Sequence, residues 1–216
     1  MRIIAFAIIL VLVILVFAYS YSYTHRLQDD CHVLEKRTLS DGTVLEIVND
    51  ACKEGMPHTT TKETVRMTRG VLNSSKYDEI MTHERVHLDQ KTRPAFWRSL
   101  VSRIWSYELY KTAPAGVPAE QIRPNPDTDA APWAVWRGRY VFFAAFGDDK
   151  TLKSAPVQIW DLEERRFTEI PPEWRKQFCG DTDCPHQYEH PYELAAEYIT
   201  HTSQAPAAAA LSAALS

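Results

Sequence analysis

Glycine is scarce, at seven in 216 residues, and none falls in a G-x-G-x-x-G or G-x-x-x-x-G-K-[ST] pattern. The glycine-rich loops that cradle nucleotide phosphates are therefore missing. Basic charge is not in excess either: 24 Lys and Arg stand against 28 Asp and Glu, a net charge of -4. A chain without a basic surplus lacks the footprint that neutralises a phosphate backbone, so no nucleic-acid partner is expected. No internal repeat is visible, and long apolar runs are confined to one place. What is there is ordinary globular material, 45% hydrophobic, 24% charged and 11% aromatic, which excludes a disordered or fibrous protein. Beyond the apolar run about 190 residues remain, the size of one domain.

The single run covers Ile3 to Phe17, with Arg2 before it and Tyr19, Tyr21, Tyr23, His25 and Arg26 after it. At about 15 to 17 residues it lies between a signal-peptide core and a short spanning helix. The Tyr-rich flank suits an interfacial belt. The reading is a signal anchor or signal peptide over 1–24, a domain over 25–204, and an Ala-rich tail over 205–216 to which no fold or role is assigned. The domain is expected outside the cytosol, membrane-anchored or secreted. In that compartment the four cysteines read as disulfides, and proximity favours Cys31 with Cys52 and Cys179 with Cys184 among the three possible pairings. A rival use of Cys179, Cys184, His186 and His190 as a metal site suffers from the single residue between Cys184 and His186.

Alternating, branched-rich stretches at Thr43 to Val48 and Thr64 to Thr68 read as strands. A helix follows, capped by Ser74 or Ser75, with Asp78 and Glu79 in its first turn, an apolar face of Ile80, Met81, Val86 and Leu88, and an end near Arg93. A second helix is expected from about Ala95 to Tyr110, where Trp97, Leu100, Val101, Ile104 and Trp105 recur at helical spacing and read as core. Five prolines between Thr112 and Pro132 mark an irregular excursion, a lid or only a loop. Strands at Trp133 to Trp136, Tyr140 to Phe146, Val157 to Leu162 and Arg166 to Ile170 suggest an antiparallel meander, and a last helix runs from about Pro191 to His201.

Residues 83 to 87 read His-Glu-Arg-Val-His. On a helix the two imidazoles project one turn apart from one face, the spacing that chelates a single Zn2+ ion, and Glu84 lies beside it, placed to take a proton from a bound water. A catalytic zinc needs a third protein ligand and an open position. The metzincin pattern would require Gly at 90 and His at 93, where this chain has Gln90 and Arg93, so that family is excluded. On the last expected helix stands His190-Pro191-Tyr192-Glu193-Leu194-Ala195-Ala196-Glu197, in which Glu193 and Glu197 share a helical face.

The pairing of H-E-x-x-H with E-x-x-A-E resembles the gluzincins, zinc metallopeptidases in which a glutamate on a second helix completes the site. The resemblance covers the two short helices only. It implies an α+β zincin-like domain with an active-site helix, a second ligand helix and a small antiparallel sheet. It implies one Zn2+ held by His83, His87 and Glu193, with Glu84 as general base and Glu197 supporting a zinc-bound histidine. Glu197, His190 and His201 are the alternatives for the third ligand. Tyr188, His190, Tyr192 and His201 are candidate oxyanion donors, and the strand at Val65 to Met67 is the expected edge for an extended peptide or protein substrate. The competing expectation is a non-catalytic surface module held by zinc and disulfides.

Overall fold

Leu45 and Ile47 in one strand and Val65 and Met67 in another turn to the same side and are fully buried, while Glu46 and Arg66 between them pair at 2.8 Å. This period-two pattern builds the first sheet of the computed structural model, which describes residues 31–146, 151, 155–201 and 203–216. The strands are β1 (Val33–Thr38), β2 (Val44–Val48), β3 (His58–Thr59) and β4 (Thr64–Thr68), in the order β1-β2-β4-β3. The sheet is mixed rather than antiparallel, because β2 and β4 run parallel. The connection between them, longer than a dozen residues, has room to return the chain to the same end. A disulfide from Cys31 to Cys52 ties the start of this unit to that connection.

The apolar side of the sheet packs on α2 (Tyr77–Thr92) through Met81 and Leu88. Neither Ser74 nor Ser75 caps this helix: Lys76 is its N-cap without a side-chain bond, and the Ser74 hydroxyl donates to the Val71 carbonyl of the short α1 (Arg69–Leu72). Asp78 and Glu79 in the first turn still oppose the positive end of the helix dipole. Next comes α3 (Pro94–Trp105), opened by its proline, whose fixed φ suits a first helical turn. It stops five residues short of the expected end. Ser106 turns left-handed at φ 60°, and the chain becomes β5 (Tyr107–Tyr110), in which Tyr107 and Leu109 are buried and Glu108 and Tyr110 exposed.

The second sheet is the expected meander with that strand added in front. β5, β6 (Trp133–Trp136), β7 (Tyr140–Ala144), β8 (Val157–Asp161) and β9 (Arg166–Phe167) follow in sequence order, all antiparallel. One face meets α3, α4 (Pro172–Phe178), α5 (Pro191–Thr200) and α6 (Pro206–Leu215) across a core of Trp105, Trp136, Phe142, Trp174 and Phe178. The Trp97-to-Trp105 stripe belongs to this core, with Trp97, Leu100, Val101 and Trp105 all buried. The other face, with Trp133, Val135, Val141 and Phe143, is covered by Val117 and Ile122 of the proline-rich excursion. That segment is therefore a cover for a sheet, and its later residues reach the site described below.

The Ala-rich tail forms α6. Ala207 and Leu211 are buried, and Trp105 Nε1 donates to the Ala207 carbonyl at 3.1 Å. An alanine-rich stretch carries no amphipathic signal of its own, yet its small side chains let a helix lie close against a large indole. Cys179 and Cys184 form the second disulfide, which removes the rival metal site that would use their thiolates. The two disulfides indicate an oxidising environment. No helix among the described residues is long and apolar enough to cross a membrane. The Ile3 to Phe17 run lies outside the described residues.

Candidate metal centre

α2 and α5 pack against each other, and their register brings one turn of each face to face. α5 is held at its start by His190, whose Nδ1 accepts from the Tyr192 N–H at 3.2 Å while Nε2 donates to the Ala131 carbonyl at 3.1 Å. Burial of this imidazole pushes its pKa down to about 4, so it stays neutral and serves as a cap. Pro191 then occupies the first turn and Glu193 faces α2.

His83, His87 and Glu193 converge. Nε2 of His83 lies 3.1 Å from Nε2 of His87, and Glu193 Oε2 lies 3.3 and 3.2 Å from the two nitrogens. In a tetrahedral site with bonds of about 2.0 Å, ligand atoms stand about 3.3 Å apart. The three donors thus form one face of such a tetrahedron, and these residues can hold a metal ion.

The tautomers agree. Gln90 Nε2 donates to the Tyr192 carbonyl at 3.0 Å, so its Oε1 accepts, and His87 Nδ1 at 2.8 Å must carry the proton. The lone pair of His87 Nε2 then points at the centre, as metal-bound histidines require. Glu193 is fixed likewise: Asn125 Nδ2 donates to its Oε1 at 2.7 Å and leaves Oε2 for the ion. Two lone pairs and a carboxylate at this range repel one another unless a cation sits among them, either a metal ion or a proton. Accordingly the His87 pKa rises to about 10: burial opposes the imidazolium, but the Glu193 and Asp127 carboxylates outweigh it. Glu193 is held well below the usual carboxylate range, its burial being overcome by His87 and His83.

A testable sign follows. With the His87 pKa raised to about 10, a metal ion entering this site must displace a proton, so affinity for a divalent metal ion should rise, by up to about tenfold per pH unit, as pH climbs from neutral toward 9. Competition with a chromophoric chelator at several pH values measures this, and a flat profile would contradict it.

Glu84 stands apart from this network. It is buried, 4% exposed, and its Oε2 has no hydrogen-bond partner among the described residues. Desolvation, reinforced by the charge of Asp127, raises its pKa well above the ordinary value. It lines, together with His83 and Glu193, a cleft of about 490 Å³.

The remaining expected residues are placed differently. Among the described residues Glu197 pairs only with His201, at 3.8 Å, and the partner of His87 is Gln90 instead. One turn beyond Glu193, the Glu197 side chain is directed along the cleft toward the end of α5. Of the candidate oxyanion donors, Tyr188 packs on Trp174, Tyr192 packs on Trp97 and His190, and His190 is the helix cap; none of the three lines the cleft, whereas His201 does. Val65 to Met67 is interior, flanked by β2 and β3, so the edges of this sheet are β1 and β3 rather than the expected strand.

Sequence reasoning missed Gln90, Asn125, Asp127 and Lys91. Gln90 was discoverable, being one helical turn from His87 on the same face. Asn125 and Asp127 come from an irregular segment with no periodicity to announce them. Asp127 Oδ1 accepts from the Thr59 N–H at 2.7 Å, and Lys91 Nζ donates to the carbonyls of Pro126 at 2.5 Å and Thr59 at 3.4 Å. Deeper in the cleft Arg123 pairs with Glu189 at 3.0 Å, and burial followed by the Glu193 charge pushes Glu189 up to about 7 against that pairing. Comparison with known protein families, curated proteins and solved structures finds no match to this chain.

Proposed function

We propose that the chain is a zinc-dependent peptidase of gluzincin type, membrane-anchored or secreted, with His83, His87 and Glu193 as ligands and Glu84 as general base. The observation that carries the reading is the buried Glu84 side chain, whose Oε2 has no hydrogen-bond partner among the described residues, beside three converging metal-binding groups. A desolvated, unpartnered carboxylate costs stability and calls for a reason in function. Two imidazoles and one carboxylate are the nitrogen and oxygen donors that zinc takes in catalytic sites.

A zinc ion held by His83, His87 and Glu193 would supply a bound water with its pKa lowered toward about 7 and a Lewis acid for a substrate carbonyl. Glu84, whose burial raises its affinity for a proton, would accept one in its ionised form from the attacking water and return it to the leaving amine. Gln90 and Asn125 hold His87 and Glu193 so that neither ligand must reorganise. His83 and Glu193 line the cleft, with His87 buried behind them, and this access supports turnover over a purely structural ion. The disulfides support secretion or an exported domain.

Zinc-loaded protein should cleave members of a mixed peptide library. It should lose that activity after chelation and regain it with one added equivalent of Zn2+. A folded, zinc-loaded protein that cleaves no member would overturn the assignment in favour of a non-catalytic module.

A further inference from the structure

α2 and α5 run antiparallel. His83 faces Glu193 at the metal centre, Gln90 reaches the Tyr192 carbonyl on one side of it, and Glu79 meets His201 on the other. Glu79 stands one helical turn before His83, and Glu197 one turn after Glu193. The two glutamates therefore belong to the next rung of the helix pair, with about 5–6 Å between neighbouring Cβ atoms along each helix. Glu79, Glu197, Thr200 and His201 line the same cleft as His83 and Glu193. So does Glu84, whose buried Oε2 has no hydrogen-bond partner among the described residues.

Charge at this rung is not balanced. In the same cleft Glu189 pairs with Arg123 at 3.0 Å, and Glu193 with the two imidazoles. Among the described residues Glu79 and Glu197 form ion pairs only with His201, at 3.8 Å each. One imidazole carries at most a single positive charge, so two carboxylates leave the rung negative whichever form His201 takes. Position adds to this: Glu197 lies in the last turn of α5, which holds no basic residue, and there the helix dipole presents its negative end. The Glu197 side chain is 13% exposed, so solvent ions screen it weakly. Thr200, on the same face of α5, has its hydroxyl oxygen buried without a hydrogen-bond partner among the described residues.

Two carboxylates, the carboxyl end of a helix and an unused hydroxyl acceptor, one turn from the metal ligands, suit a cation. We propose that the site selects peptides with an Arg or Lys beside the cleaved bond, its charged head donating to Glu79 and Glu197, a reading that rests on the peptidase assignment. The flexible stem of either side chain spans the turn between the two rungs, from whichever side of the bond it starts. The reaction remains hydrolysis: one water is consumed, the C–N bond breaks, and the leaving amine takes its proton from Glu84. Glu79 and Glu197 touch no reacting atom and set only which peptides are held.

The test gives the zinc-loaded full chain a mixed peptide library and sequences the products. Arg and Lys should be enriched at least about tenfold over Asp and Glu at the two positions flanking cleaved bonds. In a matched set built on one cleaved peptide, exchanging that cation for norleucine should lower kcat/KM about 10- to 100-fold, the range of one hydrogen-bonded charge pair. Rising ionic strength should shrink this ratio in the parent. The double variant Glu79→Gln, Glu197→Gln should bring it close to one, and Glu79→Gln alone, at a half-exposed position, part of the way. Equal kcat/KM for the Arg, norleucine and Glu peptides in the parent, or an undiminished ratio in the double variant, would overturn the proposal and leave the peptidase reading intact. Absence of hydrolysis throughout the library would overturn both.

Discussion

Replacing Glu84 by Gln should lower hydrolysis by about 10²- to 10⁴-fold, the usual contribution of a positioned general base, while one equivalent of zinc stays bound. The amide has the shape of the carboxylate but cannot take a proton from water. The residue is no ligand: its carboxylate is absent from the converging trio of His83, His87 and Glu193. Folding should not suffer, because the Glu84 pKa is raised in the folded state. A carboxylate with a raised pKa weakens the fold as pH climbs above its unfolded value of about 4.3, and a neutral amide escapes that cost. The thermal midpoint of the metal-free variant at pH 7 should therefore equal or exceed that of the parent. Turnover numbers and elemental zinc analysis on the same sample decide the matter. Hydrolysis at the parental rate in Glu84→Gln would remove the proposed mechanism.

The second large effect concerns the ligands. One zinc per chain is expected in the parent, and Glu193→Ala and His83→Ala should each lose it or bind it far more weakly. The loss should exceed the about 10- to 100-fold that follows from removing an outer hydrogen-bond partner of a ligand. Glu193→Ala leaves the Asn125 amide facing an empty space and removes a carboxylate that raises the His87 pKa against burial. In that variant the two imidazoles alone cannot close three corners of a tetrahedron. Full zinc occupancy in Glu193→Ala would move the third ligand elsewhere on the cleft wall, to Glu197 or His201.

Much of this centre was legible in the sequence because helices repeat. Four residues bring His83 above His87 on one face, and the same arithmetic aligns Glu193 with Glu197. The strands of the second sheet were legible for the analogous reason, since Trp133 to Trp136 and Tyr140 to Ala144 are branched and aromatic runs bounded by turns. Helical spacing failed at Tyr107 to Tyr110, where apolar residues spaced by two satisfy a strand as readily as the end of a helix. Pairing with β6 decided between them.

The sequence by itself determined which atoms could do chemistry: two imidazoles and an adjacent carboxylate on one helix, a second acidic pair on another, and four cysteines in two close pairs. Local periodicity and loop length suffice for that, because they act over a single turn or a short closure. Tertiary structure alone decided the surroundings. It placed Asn125 on Glu193, Gln90 between His87 and α5, Asp127 on the edge of β3, and an alanine-rich tail under Trp105. These contacts join residues far apart in the chain, in segments without periodicity, and depend on how the two sheets and six helices of the described residues fill space around one another.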